Sequence, residues 1–100
     1  MVDFNPIIGS EQGNDRPALV ISNDFTISKT NIITLLPITN TKSNHPLNVA
    51  LEDSKTTGMI LCSHIRSLDL KSRHFKIVDK ISKEKLDEVL EVVFAMMDNQ

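Results

Sequence analysis

Short apolar, β-branched runs follow one another along most of this chain, with too little sequence between them to hold crossover helices. "RPALVIS" (16–22) and "NIITLLPI" (31–38) are bounded by turn residues, and "PLNVAL" (46–51) alternates as a half-buried strand does. "GMILC" (58–62) and "FKIVDKI" (75–81) complete the series, and in the last run Phe75, Ile77 and Ile81 are expected to share one face. Strands spaced this closely must pair antiparallel, and a mainly β sheet of this size is expected to close on itself as a small barrel.

One helix is predicted, at the end of the chain. Ser82 is a good N-cap, Ile81 and Leu86 stand at hydrophobic-staple spacing, and Glu84 falls in the first turn, where the helix dipole favours an anion. Leu86, Val89, Leu90, Val93 and Met97 recur at helical spacing and form one apolar face, with Asp87, Glu88 and Glu91 outside it. Such a helix is a lid for the barrel.

With 100 residues and 40% hydrophobic content, the chain is expected to be one domain over residues 1–100 with a single modest core. Four Phe and no Trp or Tyr leave that core to Ile, Leu, Val and Met. Cys62 is the only cysteine, so no internal disulfide forms, and no signal segment or long apolar span points to export or a membrane. A cytoplasmic location is the expectation.

The net charge of −2 argues against a protein that coats nucleic acid indiscriminately, but the average hides an asymmetry. Seven of the eleven Lys and Arg lie between Ser63 and Lys85 (Arg66, Lys71, Arg73, Lys76, Lys80, Lys83, Lys85), against Asp69, Asp79 and Glu84. That segment suits a phosphate-bearing partner, because Lys and Arg displace condensed counterions; it is equally what a solvated basic face looks like.

Several chemistries are poorly supported. His45, His64 and His74 are scattered over different segments with no Cys or carboxylate at zinc-site spacing, so no metal is expected. Neither phosphate-cradling glycine motif occurs, and no cofactor is expected. Cys62 and His64 form a nucleophile pair on paper, although a buried small hydrophobe is the more natural role for Cys62. What remains is "GSEQGNDRPALVIS" (9–22), which crowds hydroxyl, carboxylate, amide and guanidinium groups at the mouth of a strand.

"NPIIGSEQGNDRPALVIS", then "LLPITN", then "GMILCSHIRSLDLKSR" resemble, in order and at matching spacing, the three motif blocks of the MazF/PemK family of toxin endoribonucleases from type II toxin-antitoxin systems. The resemblance implies an SH3-like barrel, a homodimer, metal-independent cleavage of single-stranded RNA or mRNA, and a cognate antitoxin that blocks the site. It makes Arg16 and Thr39 the catalytic arginine and threonine, with Glu11 and Gln12 in the substrate loop; Glu11 is a third catalytic candidate, its open roles being to orient Arg16, to accept a proton or a base-edge hydrogen bond, or only to keep the loop soluble. Gly9, Ser10 and Gly13 belong to that loop, and His64 and Arg66 to the third block, where Arg66 is as readily a structural partner of Asp69 as an RNA contact.

The chemistry of the groups fits that assignment. Cleaving RNA without a metal requires the ribose 2′-hydroxyl to attack its own phosphate, and the negative charge that builds there must meet a fixed cation. Arginine offers permanent charge and a planar fork of donors, while Thr39 offers a hydroxyl to the same phosphate. Glycines let the loop approach a ligand backbone closely. The shortage of aromatic rings leaves Phe4, Phe25 and Phe75 as candidate stacking surfaces for bases.

Two features keep other readings open. The chain starts at "MVDFNP", where the family usually has a full strand before the proline, so the first strand is expected to be short. The same barrel also occurs in the CcdB toxins, which bind DNA gyrase and cleave nothing. A gyrase-binding toxin, or a catalytically dead remnant that still binds antitoxin, is therefore the alternative to a nuclease.

Overall fold

Strand β3 (Ile32–Thr39) organises the computed structural model, which describes residues 7–11, 16–40, 46–52, 56–69 and 75–97. One edge of β3 pairs with β2 (Ala18–Val20). The other edge is shared: Ile32 to Leu35 pair with β6 (Arg66–Asp69), while Ile38 and Thr39 pair with β5 (Gly58–Leu61). Pro37 sits between those two sets of partners. The amides of Thr34 and Ile38 turn toward the β2 side, donating to Ser22 Oγ (3.0 Å) and the Pro17 carbonyl (3.0 Å), so alternation turns residue 37 the other way, into the gap. A residue there needs no N–H, which is where a sheet tolerates proline.

The antiparallel path runs β4 (Asn48–Leu51), β5, β3, β2, β1 (Ile7–Glu11), β7 (Phe75–Lys80), with β6 added on β3. Among the described residues the two ends, β4 and β7, do not pair, so the expected closed barrel is an open, strongly bent sheet. A side chain bridges part of the opening: the Thr56 amide donates to Asp79 Oδ2 on β7 at 2.7 Å. Helix α2 (Lys83–Met97) covers the inner face, and Lys85 Nζ donates to the Ala50 carbonyl of edge strand β4 at 3.1 Å. Among the described residues no helix is long and apolar enough to cross a membrane.

The helix begins as its sequence dictates, with Ser82 Oγ accepting from the Lys85 amide at 3.1 Å. Its stripe buries Val89 and Val93 against Ile8, Leu19, Leu36, Leu51, Ile60 and Cys62, with Leu86 at the edge. Each such aliphatic side chain contributes roughly 1.5–3 kcal/mol on leaving water. Met97 departs from expectation: at the last turn the stripe has run past the sheet, and its side chain is exposed.

Three other local expectations change, and one strand joins those read from the sequence. A second helix joins the one predicted: "DFTISKT", between the first two runs, is α1 (Asp24–Thr30). It is set by local caps, the Asn23 side chain accepting from the Thr26 amide at 2.9 Å and Asn31 closing it in the left-handed conformation. "IIGSE", expected as loop, is β1, held between β2 and β7. "RSLD", in the third motif block, is β6. Ile77 keeps the face of Phe75, as expected, but stands 59% exposed there; the register slips only after it, opposite Ile8 and Gly9, and this parts it from Ile81. That bulge breaks the alternation, so that Val78 and Ile81, three residues apart, both pack on the main core. The expectation of a shortened strand before Pro6 falls on residues outside those described.

Candidate active site

Alternation along β3 sorts its residues between two apolar clusters. Leu36 and Ile38 enter the main core under α2, whereas Ile33 and Leu35 join a smaller cluster with Ala18, Val20 and Leu68, against which Ile27 of α1 and Phe75 pack. Pro37 and Thr39 follow Leu35 on that second face. The face is covered by side chains at one end and opens into two clefts at the other.

Arg16 reaches the same place from the neighbouring strand. The register pairs Val20 with Leu35, Leu19 with Leu36 and Ala18 with Pro37, and the Ile38 amide extends the ladder to the Pro17 carbonyl. One further step brings Arg16 opposite Thr39. Pro17 holds Arg16 in extended backbone, so the guanidinium leaves a rigid strand end. Arg16 is exposed and Thr39 half-buried, and both line a cleft of about 610 Å³ with Asn40, Thr56 and Thr57.

Arg16 also walls a second cleft, of about 310 Å³, with Ser10, His64, Arg66 and Phe75. Its floor is apolar, made by Leu35 and Pro37 among others. Arg66 lies opposite Leu35 in the β3–β6 ladder and two residues before buried Leu68, which puts it on the cleft side of the sheet. Two guanidiniums and an imidazole thus border one hollow, a setting that attracts anions.

The remaining site residues from the sequence are distributed as follows. Gly9 lies in β1, not in a loop, and the face expected to meet a ligand is taken by the Phe75 ring, so that a Cβ there would fall within the ring. Glu11 is the last residue of β1, opposite Phe75. Gln12 and Gly13 lie outside the described residues, as do His45 and His74. Cys62 and His64 are not a nucleophile pair: a turn closed by the His64 amide on the Leu61 carbonyl (3.0 Å) separates them, leaving Cys62 fully buried and His64 exposed. Burial, and secondarily the charge of Glu88, push the Cys62 thiol pKa up, the opposite of what a thiolate nucleophile needs.

Sequence reasoning missed Gly58. Its φ of +144° is one that side chains rarely adopt, and a Cβ would meet the Thr39 carbonyl at 2.5 Å. The glycine lets β5 close on the end of β3, which fixes the backbone of Thr39. The signal lay in "TTGMIL", a glycine at the mouth of a strand, legible only once that strand is known to pair with the one ending in threonine.

Residues 1–97 match the family described as PemK-like, MazF-like toxin of type II toxin-antitoxin system. The chain is 35% identical over 105 aligned residues to Endoribonuclease EndoA of Bacillus subtilis, covering 96% of this chain and 90% of that protein. It is 31% identical over 85 residues to the endoribonuclease toxin MazF of Escherichia coli K12, covering 85% and 77%. Its fold superposes with a TM-score of 0.84 on a chain from the MazE-MazF crystal structure of Deinococcus radiodurans, at 26% identity and covering 98% and 100% of the two chains.

Proposed function

The chain belongs to the PemK-like, MazF-like toxins of type II toxin-antitoxin systems, and on that premise we propose that it is a toxin endoribonuclease, one domain over its length, which cuts single-stranded RNA without a metal cofactor. The observation that carries the reading is the β2–β3 register, which sets Arg16 opposite Thr39 at the mouth of an open cleft.

In the proposed reaction the 2′ oxygen bonds to phosphorus as the bond from phosphorus to the 5′ oxygen breaks. The 2′-hydroxyl gives its proton to the Glu11 carboxylate, and the departing 5′ oxygen is protonated from solvent. Arg16 meets the charge on the phosphoryl oxygens with two parallel donors, and Thr39 donates its hydroxyl to the same group. Rate then comes chiefly from orientation and preorganised charge. Ser10, Gln12, Gly13, His64 and Arg66 serve RNA binding, and Gly9 supports it through Phe75.

Relatives of this chain crystallise as MazE-MazF assemblies, and the proposed partners here are likewise a cognate antitoxin and a second copy of the chain. Exposed Ile77, Phe94 and Met97 are apolar surface of the kind self-association covers. The proposed location is the cytoplasm, where mRNA is met.

The test is incubation with a long unstructured RNA in excess EDTA. Cleavage leaving 2′,3′-cyclic phosphate and 5′-hydroxyl ends is expected, with resistance when the scissile ribose carries 2′-deoxy. Activity lost on chelation and restored by a divalent ion would overturn the metal-free mechanism. No cleavage by the folded protein would overturn the nuclease.

A further inference from the structure

The smaller cleft carries an aromatic ring that the reaction itself does not use. Of the four Phe in the chain, Phe25 stands 70% exposed on α1 beneath Lys29, whose Nζ lies 5.7 Å from the ring centre. Phe94 stands on the solvent side of α2, and Phe4 is outside the described residues. Phe75 lines the smaller cleft, and Arg16 stands between that cleft and the one holding Thr39.

Its ring is also held in place. Phe75 opens β7 opposite Glu11, packs on the cluster of Ala18, Leu35 and Leu68, and spans the bare backbone of Gly9, where any Cβ would collide with it. A ring fixed on one side by a strand and by buried neighbours presents its remaining surface with little entropy left to lose. Around it lie an apolar floor and, at the rim, the donors of His64 and Arg66. An aromatic surface, a dry floor and rim donors are what a single unstacked nucleobase requires.

We propose that Phe75 is the stacking platform for one base of the bound RNA, adjacent to the phosphate engaged by Arg16, and that Gly9 is its positioning residue. This rests on the RNA-cleaving reading and adds to it a determinant of which nucleotide is accepted beside the cut.

The experiment begins with the parent protein: its cut site is mapped on a long RNA, and a short RNA spanning it is made uncleavable by 2′-deoxy at the scissile ribose. Binding is measured for this RNA and for versions made abasic one position at a time on either side. For the parent, one adjacent abasic position should weaken binding about 5- to 150-fold, the range that losing one stacked base covers. Phe75→Leu should weaken binding to the intact RNA by a similar factor and add nothing at that abasic position. Phe75→Tyr, which keeps the ring, should behave as the parent. Gly9→Ala, whose Cβ would displace the ring and press on the Lys76 carbonyl of β7 at 2.7 Å, should resemble Phe75→Leu; should neither variant fold, the abasic scan of the parent decides, and a scan with no sensitive position beside the cut overturns the platform. Equal losses for Phe75→Leu on intact and on every abasic RNA, or no loss at all, would overturn the platform while leaving the nuclease standing. A folded parent that neither cuts nor binds RNA would overturn both.

Discussion

Ile38 and Thr39 are neighbours in sequence but belong to different parts of the molecule. Ile38 turns into the main core beneath α2, with Leu36 and Ile60, while Thr39 turns to the cleft where Arg16 ends its strand. One residue of β3 thus separates a position that holds the fold from one assigned to the reaction. The inner face is apolar and closed by a helix; the outer face begins as a small apolar cluster and ends in guanidiniums, hydroxyls and an imidazole. Substitutions on the two faces should therefore fail in different ways, activity without stability on one and stability without activity on the other.

The largest expected effect is on the outer face. Arg16→Ala should lower the cleavage rate on the order of a hundred- to a thousand-fold, about 3–4 kcal/mol of barrier, as loss of one well-placed donor to developing charge does. Its melting temperature should change little, since Arg16 is exposed and a pairing made by an exposed charge contributes only about 0–1 kcal/mol. Arg16→Lys keeps the charge but not the fork and should fall near the alanine variant. RNA affinity should drop less than rate, because one phosphate contact among several supplies only part of it. Parental cleavage by folded Arg16→Ala would remove this loop from the chemistry.

Next in size is Thr39→Val, which keeps the shape and removes the hydroxyl. A hydrogen bond to a charged group contributes roughly 1.5–3 kcal/mol, so cleavage should slow about 10- to 150-fold with binding and melting little changed. If instead the variant melted early and cut normally, Thr39 would belong with the inner face.

The contrast between the faces was legible in the sequence to different depths. The apolar runs of β2, β3, β4, β5 and β7 and the capped stripe of α2 declared themselves, because burial on one side leaves a periodic pattern. Arg16 and Thr39 were marked by chain chemistry and by resemblance, but their juxtaposition depends on the β2–β3 register, which no local pattern encodes. Strand β1 was hidden because "GSE" carries polar and turn-forming residues while its backbone is satisfied by partners on both sides. Helix α1 was hidden because Thr and Ile are β-branched and its stability rests on two asparagine caps. The parting of Ile77 from Ile81 needed the bulge, a property of two strands together.

On the inner face the expected effect is smaller and of the other kind. Ile38→Val removes one buried methylene and should cost about 0.5–1.5 kcal/mol of stability, read from the denaturant midpoint. Cleavage by the remaining folded protein should be parental, although the next residue is Thr39. A rate loss exceeding the stability loss would show that the two faces are mechanically coupled through the strand.

The smallest expected effect concerns Cys62, among the described residues the one titratable side chain of the main core. Its thiol pKa is raised above the usual 9.0, first by burial and then by the Glu88 carboxylate. Below that value both the folded and unfolded thiols keep their protons, and the group contributes no pH dependence. As pH rises through the usual value the unfolded chain releases the proton and the folded chain retains it, so stability falls, and the fall ends once the folded thiol also ionises. Unfolding midpoints measured between about pH 8 and 10 should therefore decline more steeply for the parent than for Cys62→Ala, whose core lacks the thiol. Groups common to both proteins cancel in the difference. Identical slopes for the parent and Cys62→Ala would mean that the thiol reaches solvent in the native state, and that the inner face is less closed beside β5 than its packing indicates.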